Sequence, residues 1–309
     1  ELAELEALEA GKPISDALTV DLPETVATIR WHAEAVDKIT DQITRSDPAY
    51  LSMVVREPIG VVAAVLPWNF PVMMAAWKLG PALAEGNTMV LKPAEQTSMS
   101  TIRLAELATE AGIPDGVINV VPGFGEVVGK ALGEHMGVDC VGFTGSTETG
   151  RLFLHYAADS NLKRVLLECG GKNPMIVMPD VEDLDVVADH AANSIFWNMG
   201  ENCSSNSRVL VHESLKDALL DLLVERARDW VVADPMSSAC RVGPLIEESQ
   251  HESMQQVKAA TEEFKQLKEQ NLRDHMTDWE LILTMIGEKA TTDITKETKS
   301  QGFEECSDS

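Results

Sequence analysis

The chain has 309 residues, with 25 Lys plus Arg against 50 Asp plus Glu and a formal net charge of −25. That length supports two modest domains with real cores, and the acidity argues against nucleic acid as a partner. No apolar run approaches the roughly 20 residues that a membrane-spanning helix needs. Five cysteines, an odd number with no CxxC pair, argue against a disulfide framework or a zinc site and fit a reducing, cytoplasmic setting. The chain opens at Glu1 with no basic and apolar leader pattern, and the missing initiator Met reads as a fragment or a processed product.

In chain order, residues 1–10 carry Leu2, Leu5 and Leu8 at helical spacing, and Pro23 opens a second helix expected to run to about Thr44. From residue 60 short apolar runs alternate with amphipathic stretches. Strands are expected at 60–66, 88–91, 117–121, 139–143, 164–168, 174–178 and 208–211. Helices are expected at 72–84, 97–111, 126–132, 147–158, 184–198 and 214–227. Strands buried on both faces and separated by helices imply a doubly wound α/β fold with a parallel sheet. Past residue 257 the composition turns to Lys, Glu and Thr, with helical runs at 262–271 and 279–287 and a polar, disordered end from Thr291.

Several short motifs carry chemistry. A lone cysteine is more often a small buried hydrophobe than a nucleophile. Cys203, however, follows Gly200-Glu201-Asn202 where a helical run ends, a place where backbone turns and a thiolate can be stabilised. Glu168 closes the apolar strand Val165-Leu166-Leu167 and precedes Cys169-Gly170-Gly171-Lys172, so its carboxylate stands where α/β sheets bind ligands. The bland alternative is a strand-end Glu paired with Lys163 or Lys172. In Pro67-Trp68-Asn69-Phe70-Pro71 the flanking prolines fix the backbone around Asn69, whose amide is a neutral donor suited to an oxyanion.

Phe143-Thr144-Gly145-Ser146-Thr147 reads as strand, turn and helix start, an anion site fit for a dinucleotide pyrophosphate. Gly123-Phe124-Gly125 follows a strand as well, though a glycine turn there is common. Lys92-Pro93-Ala94-Glu95 follows the strand at 88–91 and suits ribose hydroxyls, with a surface ion pair as the alternative. Trp77 and Trp197 are candidate channel walls, and packing is their commoner use.

Taken together, the motifs Pro-Trp-Asn-Phe-Pro, Lys-Pro-Ala-Glu-Gln, Phe-Thr-Gly-Ser-Thr, Leu-Glu-Cys-Gly-Gly-Lys and Gly-Glu-Asn-Cys resemble the aldehyde dehydrogenase superfamily over about residues 1–257. Within it the pattern is most similar to aminoaldehyde and γ-glutamyl-aminobutyraldehyde enzymes. The resemblance implies a Rossmann-like, partial dinucleotide-binding domain over 1–169. An incomplete α/β catalytic domain would follow over 170–260, then an unrelated tail over 261–309. It implies Cys203 as nucleophile, Asn69 as oxyanion donor and Glu168 as the base that activates water. Trp68, Lys92, Glu95, Gly125, Gly145, Ser146 and Cys169 would face the cofactor, NAD with NADP possible, and no metal is implied.

The implied partners are a small aldehyde, possibly an aminoaldehyde, with no nucleic acid and no membrane. Relatives are homo-oligomers that assemble through a strand hairpin, which residues 46–57 could partly form. The motifs that follow in longer relatives, including the Glu-x-Phe-Gly-Pro segment, are not legible here. The tail is similar to part of phage-type damage-inducible, Bro-like proteins. The competing reading is an inactive truncated remnant, or a fusion in which the tail is an interaction segment.

Overall fold

The computed structural model describes residues 1–252, residue 255 and the short strand 281–282. The described chain divides into two compact units, the first Glu1–Gly170 and the second beginning at Gly171.

The first unit opens with α1 (Leu2–Ala10), which ends at Gly11 in the left-handed conformation (φ 75°). A short turn, α2 (Ile14–Asp16), and a π-type turn over Ala17–Asp21 lead into α3 (Leu22–Ala35). The helix expected to reach Thr44 therefore stops at Ala35. Residues 42–44 are instead β1 (Gln42–Thr44), paired antiparallel with β2 (Ser52–Val54). Ile39, Thr40, Ile43 and Thr44 are β-branched and lose side-chain freedom in a helix, which favours the extended form here. The hairpin leaves Ile43, Met53 and Val54 exposed.

The sheet follows: β3 (Val61–Val65), α4 (Pro71–Ala84), β4 (Thr88–Lys92), α5 (Met99–Glu110), β5 (Ile118–Val120), α6 (Lys130–Glu134), β6 (Cys140–Gly145), α7 (Thr147–Ala158) and β7 (Arg164–Cys169). The helix expected over 126–132 is a π-type turn at Gly125–Gly129 continued by α6. Hydrogen bonding orders the five parallel strands β5-β4-β3-β6-β7. The chain thus starts at the centre, winds to one edge, returns and winds to the other, so the order reverses between β3 and β6. Ligand crevices of open α/β sheets lie at the carboxyl ends of the strands at that reversal. Ala63, Val65, Val141, Phe143 and Phe153 form the core beneath it, with the two phenylalanine rings 4.9 Å apart.

The second unit pairs β8 (Pro174–Val177) in parallel with β9 (Arg208–Val211), and α8 (Leu184–Phe196) and α9 (Lys216–Ala227) cover them. Residues 281–282 pair antiparallel with β9 as β10, inside a run expected to be helical. The rest of that run, the helical run at 262–271 and the polar end from Thr291 lie outside the described residues. Among the described residues no helix is long and apolar enough to cross a membrane.

Gly60 is where the central strand is seated. Its φ of 120° suits glycine, and a Cβ there would stand 2.2 Å from Asp139 Oδ2. That carboxylate accepts from the Val61 amide at 2.9 Å, while the Gly60 amide donates to Asn87 Oδ1 at 3.0 Å. Gly60→Ala is expected to cost about 1–3 kcal/mol, read as a lower urea midpoint. An unchanged midpoint would show that the start of β3 adapts freely.

Candidate active site

The carboxyl ends of β3, β4, β6 and β7 assemble one group of candidate residues in the first unit. After β3 the chain leaves through Leu66, whose amide donates to the Lys92 carbonyl at 2.9 Å, and turns through Trp68, Asn69 and Phe70 into α4. Pro71 at the first helical position fits because a proline there forfeits no helical hydrogen bond. Trp68 and Asn69 are half-buried and Phe70 is buried.

Lys92, the last residue of β4, is only 2% exposed. Its Nζ pairs with Glu95 Oε1 at 3.0 Å, and the same oxygen accepts from the Gly125 amide at 2.5 Å. These three sequence-selected residues therefore form one cluster above neighbouring strands. The surface ion pair considered as the alternative does not describe it, because the lysine is buried. The cluster offers a cation, a carboxylate and a glycine turn side by side, which fits the diol and phosphate groups of a dinucleotide.

Ser146 caps α7: its Oγ accepts from the Thr149 amide at 3.1 Å and donates to Thr149 Oγ1 at 2.9 Å. The hydroxyl is thus engaged in helix capping, and an anion here would meet the other amides of the first turn. Gly145 answers a packing need, since a Cβ there would come within 2.6 Å of Phe143 Cζ. Cys169 is half-buried, and its sulfur lies 3.2 Å from where a Cβ on Gly150 of α7 would stand. That contact points to packing between α7 and β7.

Glu168 stands on β7 opposite Thr144 of β6, exposed, at the edge of the sheet. Neither lysine named in the sequence as its alternative partner pairs with it. Lys163 donates to the Gly133 carbonyl and Ser160 Oγ, and Lys172 donates to the Gly171 carbonyl. The Glu168 carboxylate instead acts on Lys78 of α4, which sequence inspection missed. Burial lowers the Lys78 amine, and the Glu168 carboxylate opposes that shift. Its stem crosses β6 at Gly142, where a Cβ would lie 3.4 Å from Lys78 Cδ. The only signals in the sequence were an isolated lysine in an apolar helix and a glycine inside a strand.

In the second unit α8 ends at Phe196, and three successive residues take left-handed backbone: Asn198 (φ 53°), Met199 (φ 58°) and Gly200 (φ 77°). Asn198 and Met199 are buried there, so packing pays the cost of conformations that non-glycine residues avoid. The chain then turns through Cys203, which is exposed. Asn173 Nδ2 donates to the Cys203 carbonyl at 3.2 Å and to the Ser205 carbonyl at 3.5 Å. Arg208 donates to the Lys172 carbonyl through Nε at 3.1 Å and Nη2 at 2.6 Å. The nucleophile candidate therefore rides on a turn pinned from both sides. Trp197 lines a groove of about 780 Å³ with Met175, Val177, His190, Asn193 and Asn206, whereas Trp77 is exposed on α4.

Comparison with known proteins matches the aldehyde dehydrogenase family model over residues 1–279, past the point near 257 where motifs cease to be legible. An aminoacetaldehyde dehydrogenase of Pseudomonas aeruginosa is 58% identical over 254 residues, 82% of this chain and 51% of the relative. The crystal structure of a γ-glutamyl-γ-aminobutyraldehyde dehydrogenase from Burkholderia cenocepacia superposes with a TM-score of 0.82 at 52% identity, covering 84% of this chain and 53% of that one. An indole-3-acetaldehyde dehydrogenase solved with NAD+ gives 0.83 at 49% identity, covering 85% and 53%. The chain spans about half the length of the relatives it matches.

Cys140 and Cys240 are buried, Cys169 half-buried and Cys203 exposed. Because alkylation needs an accessible thiolate, iodoacetamide is expected to label Cys203 ahead of those three, with Cys203→Ser removing the fast phase among the peptides that carry these four cysteines in a peptide-mass time course. Dominant early labelling of Cys169 would contradict this placement.

Proposed function

The chain belongs to the aldehyde dehydrogenase family, and from that premise we propose that its residues serve oxidation of an aldehyde to a carboxylic acid with NAD. The reading assigns residues 1–169 to dinucleotide binding and 170–260 to the part bearing the nucleophile. The observation that carries it is Cys203, an exposed thiol on a turn held by Asn173.

In this reading the Cys203 thiolate attacks the aldehyde carbon and forms a thiohemiacetal. The Asn69 side-chain amide and the Cys203 backbone N–H donate to the oxygen as it gains charge. NAD, when bound, would supply the hydride acceptor, and loss of hydride from this carbon would leave a thioester on Cys203. Glu168 then takes a proton from water as the water attacks the thioester, releasing the acid and restoring the thiolate. Lys78 of α4, whose amine is lowered by burial and held up by the Glu168 carboxylate, adds a cation near this part of the site.

Lys92 and Glu95 would hold the adenosine ribose, with Glu95 disfavouring a 2′-phosphate and so favouring NAD over NADP. Gly125, Gly145, Ser146, Cys169 and Trp68 would line the same cofactor. The substrate class favoured is an aminoaldehyde, since relatives named for aminoacetaldehyde and γ-glutamyl-γ-aminobutyraldehyde are among those matched. The exposed apolar pair Ile43 and Met53, opposite one another on one face of the hairpin, supports assembly into homo-oligomers.

NADH formation at 340 nm from the purified chain, NAD and a panel of aminoaldehydes tests the reading. Turnover is expected to vanish in Cys203→Ala, and Asn69→Ala is expected to lower kcat by about 10²–10³. Glu168→Gln should leave the first, hydride-producing turnover and block the second, because thioester hydrolysis needs the base. Absorbance that stays flat with folded protein would overturn the oxidation reading and favour a scaffold without turnover. Ester cleavage through Cys203, which needs no hydride acceptor, would then show whether the thiol alone is competent.

A further inference from the structure

The turn that carries Asn69 rests on a buried ionic cluster near the start of the chain. Glu6 on α1, Lys12 just after it and Asp21 before α3 are each 0% exposed. Lys12 Nζ donates to Asp21 Oδ2 and stands 3.7 Å from Glu6 Oε1. The same Nζ lies 4.3 Å from the centroid of the Phe70 ring. Phe70 adjoins Asn69 in the chain and is the residue from which α4 starts.

One ammonium cannot neutralise two buried carboxylates. Burial pushes the Glu6 carboxyl up to about 8, with Asp21 and Glu9 adding to the rise and Lys12 opposing it. Near neutrality Glu6 therefore keeps its proton, and the cluster is neutral as a whole. That proton also supplies a donor in a place where Glu6 Oε1, Glu6 Oε2 and Asp21 Oδ1 otherwise accept no hydrogen bond. Apolar residues would fill such a space at least as stably as an ion pair. What they could not do is present a cation to the face of an aromatic ring.

We propose that Lys12 is a positioning residue for the Asn69 turn, held against Phe70 by Asp21 with Glu6 beside it. The inference rests on the reading of Asn69 as part of the site. When Glu6 loses its proton, the cluster becomes net negative and competes with the ring for the ammonium. Glu4, Asp16, Glu24, Arg30 and Glu34 are the further charged groups on the packed α1, α2 and α3, and several others have partners of their own. Glu9 accepts from the Met99 and Ser100 amides of α5, Arg103 is bound by Glu1, Glu106 and Glu110, and Lys78 is turned toward Glu168. His32 of α3 lies against Gly80 of α4. The sign for stability follows from the raised pKa. The Glu6 contribution is complete below the ordinary value of 4.5 and is lost as pH rises through about 8.

Fluorine NMR of the full chain labelled with 5-fluorotryptophan tests this without requiring turnover. The Trp68 signal, assigned by its absence in Trp68→Phe, is expected to titrate with a midpoint near 8 in the parent chain, the value to which Glu6 is raised. Glu6→Gln should flatten that titration. Lys12→Met combined with Asp21→Asn removes both ions together, which avoids stranding a buried charge. This double variant is expected to melt cooperatively with the Trp68 signal displaced, and Lys12→Arg to restore it toward the parent position. In a chain that turns over, the double variant should lower kcat about tenfold with KM unchanged.

A parent-like Trp68 titration in Glu6→Gln, or a parent-like signal in the folded double variant, would overturn the proposal. If the double variant does not fold, Glu6→Gln decides. A chain that oxidises no aldehyde yet shows the Trp68 response loses the enzymatic reading and keeps this one.

Discussion

Parallel pairing of β3 with both β4 and β6 is the constraint from which the rest of the first unit follows. Parallel strands all point one way, so the segments after them emerge on one edge. Register then sets which residues stand side by side there: Val65 pairs with Lys92 and with Phe143, and Thr144 and Gly145 pair with Glu168 and Cys169. The Asn69 turn, the Lys92–Glu95–Gly125 cluster, the α7 start and Glu168 share that edge because of this pairing. A slip of one residue would reverse which face each side chain occupies and disperse them.

Charge placement runs against the overall acidity. In a chain with a net charge of −25, three lysines among the described residues are buried nearly completely: Lys12, Lys92 and Lys163. Each has a defined acceptor: Asp21 for Lys12, Glu95 for Lys92, and the Gly133 carbonyl with Ser160 for Lys163. A buried ammonium is tolerated when it is paired and hydrogen-bonded. Two of the three adjoin segments named for the site, through Phe70 and through Gly125, so cations are concentrated where a polyanionic cofactor and an oxyanion would be handled. Acidic side chains such as Glu106, Glu110, Asp185 and Glu225 stay on exposed positions.

The second unit reaches its candidate site by a different route. Left-handed residues at Asn198, Met199 and Gly200 end α8 abruptly, and side-chain donors from Asn173 and Arg208 take up the carbonyls that the turn and the start of β8 expose. Conformations of this kind cost free energy and persist where surrounding packing over-determines them. Such rigidity holds the candidate residue Cys203 at a set place on an otherwise exposed turn.

Period and composition located the strands from β3 to β9 and most of the helices between them, and short motifs singled out Cys203, Glu168 and Asn69 as candidates. These are local properties: apolar spacing, prolines around Asn69 and glycines after Glu168. Tertiary structure decided what local pattern does not encode. It ended α3 at Ala35 and paired Gln42–Thr44 with Ser52–Val54, because strand pairing requires a partner distant in the chain. It engaged Ser146 in capping, set Lys78 beside Glu168 and buried Glu6 with Lys12 and Asp21 beneath Phe70. Electrostatic partners are chosen by distance in space, and sequence separation says little about which lysine of the chain will meet which carboxylate.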